Sequence, residues 1–322
     1  MVTAADTDPR SESAAAPVVR WEEICCPLCQ RDNYETICQA VDGDPEVGGL
    51  SFAVVRCQNC DLYFTNPRPD EASILPFYSR SYPAFRKPKL FPRMIRRWYP
   101  FARIKGWPCQ ERRTLPWHGQ GRLLDFGCGG GSFLLRMHDQ GWKVIGLDRN
   151  EHVILHLRKL LGHKAIVGSL PHHDLAERSQ DVITMWSTLA HVHQPLTIMQ
   201  EAYRLLVPGG RIYIEVPNIA SWGFHWFASY WHGLDLPRHL IHFSPVTLKT
   251  LLEKAQFRIL SLKTLAYPSW MRASARSTFH IAGYPFVTQL LRLNPIAKFI
   301  AWLGYLSGKA DTILCCAERP DC

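Results

Sequence analysis

Leu124-Asp125-Phe126-Gly127-Cys128-Gly129-Gly130-Gly131-Ser132 is the stretch on which the fold turns. Residues 122–126 read as a short buried strand, Gly127 to Ser132 as a turn, and Phe133-Leu134-Leu135-Arg136-Met137 as the opening of a helix. Glycines let such a turn take positive φ and let a ligand come close to the backbone. The helix start behind it offers free N–H groups to a carboxylate or phosphate. A second strand, Lys143-Val144-Ile145-Gly146-Leu147, ends on Asp148, where an acid can accept two hydrogen bonds from a ribose diol. The dinucleotide fingerprint would require glycine at position 132, where Ser132 stands, and an acid, Asp125, sits two residues before the first glycine.

Further along, Asp181-Val182-Ile183-Thr184-Met185-Trp186 reads as a fourth strand, followed by Ser187-Thr188-Leu189-Ala190-His191-Val192. Residues 204–210, ending Pro208-Gly209-Gly210, form a turn, and residues 211–218 a fifth strand. Ser244 and Pro245 supply an N-cap and a first-turn proline for a helix to about Lys254, and strands at 257–265 and 311–319 would finish the sheet. In this order the segments closely resemble the S-adenosylmethionine-dependent class I methyltransferases over roughly residues 119–319. The resemblance implies an α/β, Rossmann-like sheet, mostly parallel with an antiparallel last strand. It also implies that Asp125, Gly127, Cys128, Gly129 and Gly131 hold the methionine end of the cofactor and that Asp148 holds its ribose. Many relatives carry Glu-His where this chain has Ala190-His191, and often an acid near Gly168-Ser169-Leu170, so those acids' roles do not transfer.

Two CxxC pairs, Cys26/Cys29 and Cys57/Cys60, lie 27 residues apart and predict a structural Zn²⁺ site. Four thiolates leave no open coordination position, so the expected role is to hold a small domain together. Cys25 and Cys38 are competing ligands, and the glycine usual after such knuckles is replaced by Gln30 and Asp61. The expected organisation is a disordered tail (1–20), a zinc ribbon (21–69), a connector (70–118) with a short helix at 70–80, and the methyltransferase domain (119–322) with a helical insertion at 267–310. A ribbon ahead of this fold resembles the bacterial methyltransferases of sugar, surface-polysaccharide and secondary-metabolite pathways. There the run Trp231-His232-Gly233-Leu234-Asp235-Leu236-Pro237-Arg238-His239-Leu240-Ile241-His242 lies where members build the acceptor pocket.

The chain of 322 residues has 37 Lys+Arg against 28 Asp+Glu, a net charge of +9. Residues 81–113 hold ten basic residues and one acid, so the remainder is neutral, with 27 of each sign. A whole-surface nucleic-acid binder is therefore not expected. The basic stretch interleaves Phe85, Phe91, Trp98, Tyr99, Phe101 and Trp107, which suits a packed connector, a membrane surface or anionic substrate, or RNA. Peripheral membrane contact through 81–113 and 284–306 is the expectation if the two share a face. With no signal peptide and no spanning segment, a reducing cytoplasm, with the inner membrane face as a docking surface, is the expected compartment.

Methyl transfer to a hydroxyl or acidic carbon needs a general base titrating near the working pH, and histidine fits. His239, His191 and His242 are the candidates, and Arg238 would hold an anionic group of the acceptor. His172-His173 beside Asp174 resembles a metal pair in a loop. The expected activity is methyl transfer to a small-molecule or lipid-linked acceptor, a sugar or related metabolite. The alternatives are an RNA methyltransferase that grips RNA with its zinc module and a non-catalytic protein that kept the fold.

Overall fold

The computed structural model describes residues 19–41, 49–78, 82–85, 115–278 and 285–321. The expected tail, nearly all of the basic stretch 81–113, and residues 279–284 of the insertion lie outside the described residues.

The N-terminal module contains β1 (Trp21–Glu22), β2 (Tyr34–Val41), β3 (Ser51–Cys57), β4 (Tyr63–Thr65) and β5 (Arg68–Pro69). β2, β3 and β4 form an antiparallel sheet whose aromatic residues Phe52 and Phe64 are buried. The helix expected at 70–80 is a single 3-10 turn, Leu75–Phe77. Pro76 in that turn has no N–H to donate, which opposes longer helical propagation.

Beyond residue 115 the chain alternates strand and helix: β6 (Arg122–Phe126), α1 (Ser132–Asp139), β7 (Lys143–Asp148), α2 (Glu151–Leu161), β8 (Ala165–Val167), β9 (Gln180–Trp186), α3 (Pro195–Leu205) and β10 (Leu206–Pro217). Then come α4 (Trp222–Phe227), β11 (Ile241–His242), α5 (Pro245–Lys254), β12 (Arg258–Leu265), α6 (Pro268–Thr278), α7 (Pro285–Arg292), α8 (Asn294–Leu306) and β13 (Thr312–Glu318). Ser244 caps α5 in a capping box with Thr247, and Pro245 occupies the first turn. The central sheet has the order β12-β13-β10-β9-β6-β7-β8. β8 through β10 pair in parallel, whereas β13 runs antiparallel to both β10 and β12. β6, β9 and β13 are buried nearly throughout, as expected of inner strands covered on both faces, whereas β12 at the sheet edge is largely exposed. This is the expected Rossmann-like methyltransferase sheet.

Chain order reverses between β6 and β9, and ligands of open α/β sheets bind at the carboxyl ends of strands beside such a switch. The first strand is anchored at its other end by Asp181, which is 2% exposed. Its carboxylate accepts from the backbone N–H groups of Gln120 and Arg122 and from the Arg122 guanidinium. Burial would raise this carboxyl, but the Arg122 bonds hold it below the usual range. The ribbon is not a separate bead. β11 of the second half pairs with β4, so the ribbon sheet runs directly into the segment that carries His239 and His242.

Candidate functional site

The glycine turn at the tip of β6 is shaped by close approach. Gly127 has φ 73° and a Cβ there would lie 2.2 Å from Thr188 Oγ1. Gly129 has φ 49° and its Cβ would lie 2.6 Å from the Ala84 carbonyl oxygen, which also accepts from Gly130 N–H at 2.8 Å. Asp148 at the tip of β7 accepts from Gly129 N–H and Asn150 N–H, each at 2.9 Å. Burial pushes its carboxyl above the usual range, so a bound pair of hydroxyls would meet a strongly accepting group in a dry setting.

A cavity of about 1240 Å³ opens at this point. Its wall includes Gly127, Gly129 and Asp148 together with Tyr78, Tyr82, His191, Asp235, Arg238 and His239. Asp125, Cys128 and Gly131 stand outside the wall. Asp125 is 1% exposed and accepts from Thr184 Oγ1 at 2.6 Å, tying β6 to β9 beneath the turn.

His191 and His239 come together with ring centroids 4.5 Å apart. His191 Nδ1 lies 2.9 Å from the Arg238 carbonyl and 3.0 Å from Tyr78 Oη, and His239 Nδ1 lies 2.9 Å from the Gly233 carbonyl. A carbonyl can only accept, so each Nδ1 carries the proton and each Nε2 keeps a lone pair. Burial, with the neighbouring His239 adding to it, lowers His191 to about 3. Burial likewise lowers His239. Both imidazoles are therefore neutral at pH 7 and are held by burial below the near-neutral titration expected of a general base, with Nε2 as the atom that would accept a proton.

Arg238 is on the wall but does not face it as an open cation. Its guanidinium donates to Asp235 Oδ1 at 2.9 Å and to the Phe77 and Leu236 carbonyls. It holds Asp235, whose other oxygen accepts from Tyr82 Oη at 3.0 Å. His242 is placed differently. It sits in β11 opposite Tyr63, 1% exposed, with Nε2 3.2 Å from Thr65 Oγ1, in the seam between ribbon and core and off the cavity wall. Burial and His239 lower it to about 3.

Sequence reasoning passed over Tyr78, Tyr82 and Asp235. Asp235 was within reach, because it precedes Arg238 by three residues, the spacing of an ion pair on a helical turn. The two tyrosines come from the connector and meet the site only through folding.

Cys26, Cys29, Cys57 and Cys60 converge with all four Sγ atoms within 4.8 Å of one another. The pairs Cys26/Cys60 and Cys29/Cys57 are 3.4 and 3.5 Å apart, too far for disulfides. They lie near the separation of about 3.8 Å that a tetrahedron of Zn–S bonds would set. Gln30 and Asp61 each take φ 60°, so the knuckle turns form with side chains where glycine is usual. Lys254 Nζ donates to the Leu28 carbonyl at 2.8 Å, placing a cation beside the first knuckle. The residues fit a structural zinc, and Cys25 and Cys38 stay outside the cluster. His172, His173 and Asp174 belong to no metal-type cluster among the described residues.

The sheet order, the glycine turn and the acid after the second strand define a nucleoside-binding domain of the methyltransferase class. A family model described as a methyltransferase domain matches residues 88–262, more than half of the chain, and the chain belongs to that family, whose cofactor is S-adenosylmethionine. It is 31% identical over 105 residues to a ubiquinone biosynthesis O-methyltransferase of Vibrio cholerae, covering 30% of this chain and 42% of that protein. It is 28% identical over 141 residues to a probable S-adenosylmethionine-dependent methyltransferase of Mycolicibacterium smegmatis, covering 42% and 52%. The chain thus spans about half or less of these relatives' lengths. A solved S-adenosylmethionine-dependent methyltransferase of Methanosarcina mazei aligns with TM-score 0.43 and 18% identity over 63% of this chain and 95% of its own.

Proposed function

We propose that the protein transfers a methyl group from S-adenosylmethionine to a hydroxyl on a small-molecule or lipid-linked acceptor bearing an uncharged ring, such as a sugar or related metabolite. The observation that carries this reading is one continuous cavity running from Gly127, Gly129 and Asp148 to the His191–His239 pair. When bound, S-adenosylmethionine supplies a methyl already activated on a sulfonium. Gly127 and Gly129 give it close access to the backbone, and Asp148 accepts from its ribose hydroxyls. Asp125, Cys128 and Gly131 act from behind by shaping the turn.

At the other end, the chain aligns the acceptor, excludes water and removes a proton. Nε2 of His239, with His191 beside it, takes the hydroxyl proton as the oxygen attacks. Asp235 then faces the resulting imidazolium. Tyr78, Tyr82, Trp231 and Trp270 supply ring faces on the cavity wall. Arg238 balances the charge of Asp235, so this lobe favours an uncharged ring over a phosphate. The curated O-methyltransferase relatives support oxygen as the receiving atom.

Incubation with methyl-tritiated S-adenosylmethionine and cell extract should put label in the small-molecule or lipid fraction. Label found mainly in RNA would overturn the reading. Asp148→Ala should weaken S-adenosylhomocysteine binding by about 10- to 100-fold in calorimetry, the worth of hydrogen bonds to a charged group. Unchanged affinity would remove Asp148 from the cofactor site.

A further inference from the structure

The insertion between β12 and β13 carries a feature that methyl transfer does not require. Residues 268–310 contain five basic residues, Arg272, Arg276, Arg292, Lys298 and Lys309, and no acid. Within it α8 is two-sided. Ala297, Ala301 and Gly304 are buried, Ala301 clustering with Ala266 and Ala310, and the helix packs on α6. On the opposite side Phe299 is 57% exposed, Trp302 41% and Leu306 60%. Their spacings of three, four and seven residues place them on one face. Lys298 flanks this row, and Lys309 follows just past the helix end, both exposed.

We propose that this outer face of α8 seats on an anionic lipid bilayer. Exposed aromatic and aliphatic side chains in a row are costly in water and suit the headgroup boundary, where Trp is favoured. Within the insertion no acid offsets Lys298 and Lys309 beside this row, and these lysines complement anionic headgroups. A second copy of this chain, with its net charge of +9, would meet this face with like charge. No helix among the described residues is long and apolar enough to cross a membrane, so the contact is peripheral. α6, on which α8 packs, supplies Trp270 and Ser277 to the cavity wall, so the seated face lies behind one side of the acceptor lobe.

The test is flotation of the full chain with vesicles of phosphatidylglycerol and phosphatidylcholine, compared with phosphatidylcholine alone. Protein should float with the anionic vesicles, less so as salt is raised. Phe299→Glu with Trp302→Glu should reduce partition by about tenfold or more with an unchanged melting temperature, because both side chains are already exposed. Three results would overturn the proposal: no flotation, flotation undiminished in the double variant, or equal flotation on neutral vesicles. A dimer seen by light scattering and split by the same substitutions would also overturn it, since a second copy would then cover the face. The readout is partition alone and does not depend on methyl transfer.

Discussion

His239→Ala should lower kcat by about 10²- to 10⁴-fold, the usual worth of a general base, while S-adenosylhomocysteine affinity stays within about twofold. His191→Ala should also lower kcat, because its ring packs 4.5 Å from His239. A double variant that keeps more than a tenth of the activity would remove both from the chemistry. The pH profile gives a second reading. Burial lowers His191 to about 3 and lowers His239, so both are already in the base form at neutral pH. The rate should be flat from about pH 6.5 upward rather than rising through the ordinary imidazole range. The same burial links to stability. Between about pH 6.5 and the lowered folded values the unfolded chain binds more protons, so stability is lost as pH falls through that window. An acid loss of rate should therefore track the loss of fold in circular dichroism. A rate that titrates near pH 6.5 with the fold intact would contradict the burial of the pair.

Cys26→Ser combined with Cys29→Ser should abolish zinc binding, about one equivalent per chain by metal analysis, and with it methyl transfer. Structural zinc contributes on the order of 10 kcal/mol to small folds of this kind, more than a ribbon of short strands can replace. The loss reaches the active site through identifiable bonds. Thr65 of β4, fully buried, donates from Oγ1 to the His239 carbonyl at 2.8 Å, and its N–H donates to the Leu240 carbonyl. Arg68 donates to the His193 carbonyl. When β4 is lost, the segment carrying His239 loses its partner strand. The glycine turn and Asp148 belong to β6 and β7, so S-adenosylhomocysteine affinity should survive within several-fold. A zinc-free double variant with full activity would show that the ribbon plays no part in holding His239.

The glycine turn was legible because it is local. A strand, a turn of glycines and a helix start are contiguous, and the left-handed backbone at Gly127 and Gly129 announces itself in residue type. The zinc ligands were legible for the same reason, since each CxxC turn brings two thiolates together unaided. The segment around His239 was legible only as a region. His239 and His242 are three residues apart and chemically alike, yet the pairing of β11 with β4 sends one to the cavity wall and the other into the seam with Thr65. A two-residue strand carries too little pattern to reveal which side faces what.

The sequence by itself determined the fold class and the convergence of the four thiolates, and pointed to the glycine turn with Asp148 as the cofactor's place, because each rests on neighbours along the chain or on a regular period. The tertiary structure decided which histidines meet, that Arg238 pairs with Asp235, and that Thr65 of the ribbon bonds the His239 carbonyl. Those outcomes depend on contacts such as Tyr78 with His191 and Tyr82 with Asp235, which join residues 113 and 153 positions apart. Burial then sets their chemistry: the same imidazole that titrates near neutrality in water stays neutral once the packed sheet and ribbon have closed around it.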